Sequence, residues 1–127
     1  MSDKLTEIMS WEGREIAPLL RPMLEHADAE LIMGDEKLLD RPVRSPVVAA
    51  MTLENVLPRL TEGSLVVVPG DRSDVLLGAA IAHLSSTFPS LAGILLNGGF
   101  ALAEPVRQLL VGLGSPLPIA HNALGTY

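Results

Sequence analysis

Short apolar runs recur along the chain, and the stretches between the later runs carry leucine and valine every three or four residues. The second pattern is clear at Leu53, Val56, Leu57 and Leu60, which would form one buried face of a helix. Strands that alternate with helices at this spacing are typical of βαβ units with right-handed crossovers. We therefore predict an α/β fold, a three-layer-like single domain whose mainly parallel sheet is built from βαβ units. The candidate strands are residues 31–33, 47–50, 65–68, 91–96 and 117–120, of which the third and fourth should be parallel neighbours.

Prolines refine these predicted elements. Pro42 and Pro46 lie in a polar stretch that is predicted to be a loop. Thr52 is placed to cap the following helix, and Pro58 should kink or shorten that helix near its end. Pro118 lies in the last candidate strand, where its missing N–H favours an edge or strand-end position.

The first 28 residues follow a broken pattern. Leu5, Ile8 and Met9 stand at helical spacing, but Gly13 and Pro18 interrupt the periodicity. We predict an N-terminal helical or linker segment over residues 1–28, which docks on a domain formed by residues 29–127.

The helix predicted over residues 73–84 is apolar around most of its circumference. Val75 and Ala79 lie on one side of it, and Leu77 and Ile81 cover much of the other. Such a helix is usually packed between a sheet and a further surface. A partner chain can supply that surface, and closed homo-oligomers are most often two-fold dimers. The pattern therefore predicts self-association as a homodimer.

Composition narrows the class of partner. The chain of 127 residues has a formal net charge of -6. Proteins that bind nucleic acid or anionic membranes usually carry an excess of Lys and Arg, which this chain lacks. No apolar run approaches the roughly 20 residues that a bilayer span needs. Cys is absent, and the first residues lack the basic-then-apolar layout of a signal peptide. We expect a cytoplasmic protein that binds neither nucleic acid nor membrane.

Two polar loops follow directly on the apolar runs 65–68 and 91–96. Because the carboxyl ends of parallel strands meet at one edge of a sheet, these loops should lie close together, where ligands and partners are usually bound. The predicted ligand or interface loop consists of Gly70, Asp71, Arg72, Ser73 and Asp74 together with Asn97, Gly98 and Gly99.

Two interpretations of the first loop stay open. In one, Asp71 or Ser73 caps the helix that follows, and a carboxylate complements its dipole. In the other, Arg72 projects toward a ligand or a partner. A buried guanidinium without a partner is costly, so Arg72 should also find a carboxylate or carbonyl oxygen nearby. The glycine pair of the second loop needs only a tight turn with positive φ.

Catalytic and metal-binding patterns are missing from the sequence. There is no Gly-x-x-x-x-Gly-Lys-Ser/Thr phosphate loop and no Gly-x-Ser-x-Gly nucleophile elbow. His26, His83 and His121 are scattered and lack the spacing of a helical metal site. We therefore predict no catalytic residues, no metal site and no cofactor.

The Asp71-Arg72 pair followed by the Asn97-Gly98-Gly99 turn resembles the DRTGG domain, the middle domain of long bacterial phosphate acetyltransferases. The resemblance runs from about Glu30 to Tyr127 and includes Ala50-Met51-Thr52, while Asn97 replaces a threonine of the family pattern. It implies a non-catalytic regulatory or oligomerisation domain, so that the isolated chain is not an enzyme. The implied partners are a second copy, a phosphate acetyltransferase catalytic domain and a small-molecule effector. The alternative is a stand-alone module that senses a nucleotide or metabolite.

Overall fold

The central sheet of the computed structural model, which describes residues 17–123, has five strands. They are β1 (Glu30–Met33), β2 (Ser45–Val48), β3 (Ser64–Pro69), β4 (Gly93–Asn97) and β5 (Ile119–His121). The α-helices of this part of the chain are α1 (Leu20–His26), α2 (Leu53–Val56), α3 (Ser73–Leu84) and α4 (Glu104–Gly112). Two 3₁₀ turns cover Glu36–Asp40 and Leu57–Arg59.

The strand order is β1-β5-β4-β3-β2. Strands β2, β3, β4 and β5 run parallel to one another, and β1 runs antiparallel to β5 at one edge. Val66 of β3 lies opposite Ile94 of β4, so the two runs predicted to be parallel neighbours are confirmed as such. The α/β class and the mainly parallel sheet are confirmed with them.

Helices cover both faces of the sheet. Val66 and Val68 of β3 pack in one buried cluster with residues of α2, α3 and α4. Leu65 and Val67, on the opposite face, pack in a second cluster with residues of α1 and the first 3₁₀ turn. The alternation places side chains of one strand in two separate cores, which gives the predicted three layers.

Helix α1 falls within the predicted N-terminal segment. Its Leu20 and Met23 are each 1% exposed, so the described end of this segment packs against the sheet as part of the core. The periodic positions Leu5, Ile8 and Met9 lie outside the described residues. The predicted division between residues 28 and 29 stays a prediction.

Three proline predictions have different outcomes. Helix α2 ends at Val56 and continues as a 3₁₀ turn with Pro58 inside it, so the predicted shortening is confirmed. Pro46 lies within β2 and not in a loop, because β2 is an edge strand whose outer side needs no N–H partner. Pro118 immediately precedes β5, which is a strand-end position; the edge alternative is wrong because β5 pairs on both sides.

Thr52 occupies the predicted N-cap position of α2, but its side chain caps no backbone amide. Its hydroxyl oxygen instead accepts a hydrogen bond of 2.8 Å from Asn55 Nδ2.

In residues 17–123 no helix is long and apolar enough to cross a membrane.

The connection between α3 and β4 is held by two side-chain acceptors. The backbone N–H of Leu91 donates to His83 Nδ1 at 2.9 Å, and that of Ser90 donates to a Glu62 carboxylate oxygen at 2.9 Å. A ring nitrogen that accepts a hydrogen bond must be unprotonated. Partial burial, with a smaller contribution from the positive charge of Arg41, lowers the pKa of His83, and the Glu62 carboxylate opposes this shift.

We predict that His83 makes the free energy of unfolding sensitive to mild acid. The folded chain holds His83 neutral to a lower pH than the unfolded chain does. His83 therefore contributes its full stabilisation above a pH of about 6.5, the pKa of His in the unfolded chain. This contribution is lost as the pH falls further, through the lower pKa of His83 in the folded chain. Urea unfolding between neutral and mildly acidic pH measures this loss. His83→Gln, which keeps an acceptor that does not titrate, should show a shallower decline; parallel curves for the two proteins would refute the assignment.

Candidate functional site

The two predicted loops meet at the carboxyl edge of the sheet. Gly70 N–H donates to the Asn97 carbonyl oxygen at 2.8 Å, directly after the register pair Pro69 and Asn97. A Cβ atom at Gly70 would lie 3.1 Å from the Phe100 Cβ and 3.2 Å from the Asn97 oxygen, so the loops approach closely there. The predicted proximity of the loops is thus confirmed, whereas their role in binding stays a prediction.

Arg72 finds both kinds of partner that the sequence predicts. Its Nε and Nη2 donate to the two carboxylate oxygens of Asp74, each at 3.1 Å, and Nη2 also reaches the Met51 carbonyl oxygen at 3.4 Å. The hydrogen bond from Arg72 lowers the pKa of the Asp74 carboxyl. The Asp74 side chain is 62% exposed, so the ion pair itself stabilises the fold little. Its larger effect is geometric, since Arg72 joins the start of α3 to the segment before α2.

The predicted capping of α3 by Asp71 or Ser73 is wrong. Arg72 occupies the N-cap position without a side-chain cap, and no hydrogen bond from the Asp71 or Ser73 side chain is formed within residues 17–123. Asp74, the second residue of the helix, instead supplies the carboxylate of the first turn. Its carboxylate lies against the backbone N–H groups of Val75 and Asp74, which also lower its pKa. A carboxylate in the first turn complements the helix dipole from there.

The second loop buries a polar side chain. Asn97 is 3% exposed, and its Nδ2 has no hydrogen-bond partner among the described residues. Gly98 and Gly99 follow with φ of 96° and 75°, and the Gly99 N–H donates to the Asn122 carbonyl oxygen at 3.0 Å. Phe100 lies over Gly98, so this turn combines a glycine backbone, an exposed ring and an unused buried amide.

A cleft of about 310 Å³ opens beside the second loop. Its rim includes Glu30 and His121, register partners on β1 and β5 whose carboxylate oxygen and Nε2 lie 3.8 Å apart. No local pattern in the sequence predicts this cleft, because it depends on the pairing of β1 with β5, whose partners Glu30 and His121 are far apart in the chain. The lining residues are Asp28, Glu30, Gly99, His121, Asn122 and Ala123.

Asn122 lines this cleft beside Gly99, which already belongs to the predicted loop. It follows β5 at the edge where Asn97 ends β4, and its Nδ2 donates to the Ala27 carbonyl oxygen at 3.1 Å. Its position just after a candidate strand is the signal that could have found it, because the carboxyl ends of parallel strands meet at one edge of the sheet.

Comparison with known proteins decides the family. A family model described as the DRTGG domain matches residues 23–127. The chain belongs to the DRTGG domain family. The resemblance carried by Asp71, Arg72, Gly98 and Gly99 is therefore confirmed.

The similar curated proteins are phosphate acetyltransferases. The enzyme of Nitratidesulfovibrio vulgaris is 36% identical over 111 residues, which cover 87% of this chain and 16% of the enzyme. That of Synechocystis is 34% identical over 109 residues, which cover 85% of this chain and 16% of the enzyme. The DRTGG chain thus spans about 16% of the length of these relatives.

The fold also matches a solved regulatory region. That solved structure contains the CBS and DRTGG domains of Clostridium perfringens pyrophosphatase in complex with the activator diadenosine tetraphosphate. The TM-score is 0.68 at 15% identity, and the match covers 99% of this chain and 53% of the other. At this identity the match shows that the two chains share a fold, in agreement with the family match.

We predict that Gly98→Ala destabilises the domain more than Gly114→Ala does. Both glycines have positive φ, so each substitution should cost about 1–2 kcal/mol from left-handed backbone strain. At Gly98 the new Cβ would also lie 2.8 Å from the Phe100 ring, whereas nothing lies within 4 Å at Gly114. Denaturant unfolding of the two variants measures the difference. Equal losses would show that Phe100 does not constrain the turn.

Proposed function

We propose that this DRTGG domain is a regulatory and oligomerising module of the phosphate acetyltransferase type, acting in acetyl-coenzyme A and acetyl phosphate metabolism. The observation that carries the proposal is the 36% identity to one segment of a phosphate acetyltransferase. In this role the domain acts in the cytoplasm, associates with a second copy of itself and works beside a phosphate acetyltransferase catalytic domain. The isolated chain transfers no acetyl group.

An apolar face on α3 supports self-association. Ile81 is 55% exposed and Leu84 is 48% exposed, and Phe88 extends the same face. Exposed apolar clusters of this kind usually mark interaction surfaces. Beside them runs an apolar groove of about 220 Å³ between α2 and α3, lined by Leu53, Leu57, Gly78, Ile81, Ala82, Ser85 and Phe88.

Gly78 shapes this groove. A Cβ atom at that position would overlap the Leu53 side chain, so the glycine lets α2 approach α3 closely. The groove and the exposed Ile81 belong to the same face, which is the geometry of a two-fold interface in which each copy both offers and receives a side chain. A second copy seated there would cover the apolar circumference of α3 that the sheet leaves open.

The contact between Arg72 and Met51 connects the candidate loop to this face. Arg72 is the N-cap residue of α3, and the Met51 carbonyl oxygen lies just before α2, so one side chain links the two helices that form the groove. An effector that draws the guanidinium away from Asp74 and Met51 would release this link. Effector binding and assembly would then be coupled, and each would change the affinity of the other.

We predict that Ile81→Glu converts a dimer into a folded monomer. A carboxylate buried at an apolar interface is strongly disfavoured, while Ile81 in the single chain is exposed enough to accept it. Sedimentation velocity at high micromolar concentration measures the association, and unfolding melts verify the fold. Leu109→Glu, on an exposed position of α4, is the matched control and should stay dimeric. A monomeric parent chain, or a dimeric Ile81→Glu variant, would contradict the proposed interface.

Small-molecule sensing is the second candidate function. The buried Asn97 amide without a partner in residues 17–123 favours it, because a ligand oxygen would satisfy that donor. The exposed turn glycines allow a ligand to approach the backbone beside it. The pyrophosphatase regulatory region with the same fold is a complex with diadenosine tetraphosphate, and we propose a nucleotide or metabolite effector here by analogy.

We predict that an effector of the loop site raises the melting temperature, because it binds only the folded chain. A thermal-shift series with AMP, ADP, ATP and diadenosine tetraphosphate tests this class. Arg72→Gln should abolish the shift and Arg107→Gln, on α4, should preserve it. No shift with any of these nucleotides would argue against nucleotide sensing. Equal shifts in the two variants would show that Arg72 does not contact the nucleotide.

A further inference from the structure

A second cleft lies at the opposite, amino-terminal edge of the sheet. Its volume is about 180 Å³. It lies between the start of β2, the start of β3 and the connection that precedes β4. The lining residues are Arg41, Pro42, Arg44, Glu62, Gly63, Ser90, Leu91 and Ala92.

Two arginines on the rim of this cleft have no side-chain partner within residues 17–123. The other arginines beside acidic groups are engaged, since Arg21 binds Asp40 and Arg72 binds Asp74. Two free guanidinium groups on one small cleft stand out in a chain with a net charge of -6. They concentrate positive potential where anions can reach it.

The backbone fixes both arginines in place. The Arg44 N–H donates to the Gly63 carbonyl oxygen at 2.9 Å, and the Arg41 carbonyl oxygen accepts from Leu20 N–H at 2.9 Å. Gly63 has φ of 70°, and a Cβ there would lie 3.1 Å from both Cγ and Cδ of Arg44. The aliphatic part of the Arg44 side chain therefore lies against Gly63, close to the backbone at the rim of the cleft.

The one acidic group of the cleft is already engaged. A Glu62 carboxylate oxygen accepts the Ser90 N–H at 2.9 Å, which holds that carboxylate against the connection. The two arginines outnumber it, and the Ser90 side chain adds a hydroxyl donor to the lining.

We propose that the Arg41–Arg44 cleft binds the phosphate group of a small metabolite. Arginine guanidinium groups present planar pairs of donors that match phosphate oxygens. One bidentate guanidinium satisfies the two oxygens of a carboxylate, whereas two guanidinium groups and a hydroxyl suit the larger oxygen set of a phosphate. The cleft is separate from the loops at the carboxyl edge of the sheet, so a test of phosphate binding there does not depend on the proposed function.

The test is a titration of the full 127-residue chain with inorganic phosphate at constant ionic strength. Amide resonances of Gly63, Ser90, Leu91 and Ala92 should shift saturably, and those of Gly98 and Gly99 should not. Absence of a saturable shift, or saturation centred on Gly98, would overturn the proposal. Sodium acetate is the second arm, and equal saturation by acetate would replace phosphate by a carboxylate ligand.

Variants locate the charge that binds the anion. Arg41→Gln and Arg44→Gln should each weaken phosphate binding about tenfold, the usual scale for one charge-assisted contact. Glu62→Gln should tighten it, because Gln keeps the acceptor for Ser90 and removes the repelling charge. A gain of affinity cannot arise from unfolding, so this variant keeps the test decisive if either Arg variant proves unstable.

Arg107→Gln is the matched control for a loss of bulk positive charge. Arg107 is exposed on α4, also has no side-chain partner in the described part of the chain, and lies outside the cleft. Its substitution should leave phosphate affinity unchanged, and a loss equal to that of Arg44→Gln would show non-specific attraction. Ile81→Glu should bind phosphate as the parent does, which separates this result from that of the assembly experiment.

Discussion

The parallel pairing of β3 with β4 is the constraint on which the rest of the structure depends. Both strands are buried on both faces, and their register from Leu65 opposite Gly93 to Pro69 opposite Asn97 fixes what lies at each end. At the carboxyl end the pairing brings Gly70 onto the Asn97 carbonyl group. At the amino end it sets the Gly63 turn beside Ser90, where backbone N–H and carbonyl groups meet at 2.8 Å. One ladder therefore positions both candidate sites.

The two edges of the sheet differ in charge. The cleft at the carboxyl edge carries Asp28, Glu30 and His121, whereas the one at the amino edge carries two arginines and a single glutamate. Helix N-termini face the carboxyl edge, yet Asp74 already compensates the dipole of α3 there and disfavours a bound anion. The positive potential suited to phosphate lies instead at the amino edge, where it depends on side chains alone.

Local pattern predicted most of the fold and part of the loop geometry. The four parallel strands and α3 follow from runs of Val, Leu and Ile, because strands buried on both faces need continuous apolar sequence. The meeting of the loops followed from strand direction alone. The capping prediction for α3 failed, because Arg72 occupies the N-cap position and its guanidinium binds Asp74 and the Met51 carbonyl oxygen, a tertiary contact that no local pattern reports. The Arg41–Arg44 cleft also escaped prediction, since Glu62 and Ser90 reach it only through packing distant in sequence.

The connection between α3 and β4 borders both the surface proposed for self-association and the cleft proposed for phosphate binding. Phe88 contributes to the apolar groove, while Ser90 and Leu91 line the arginine cleft two and three residues further on. Their backbone N–H groups are held by Glu62 and His83, and His83 itself belongs to α3. Both acceptors therefore hold the short segment that borders the two surfaces. Since a neutral His83 is required for the Leu91 contact, protonation acts on the connection that the two surfaces share, and not only on overall stability.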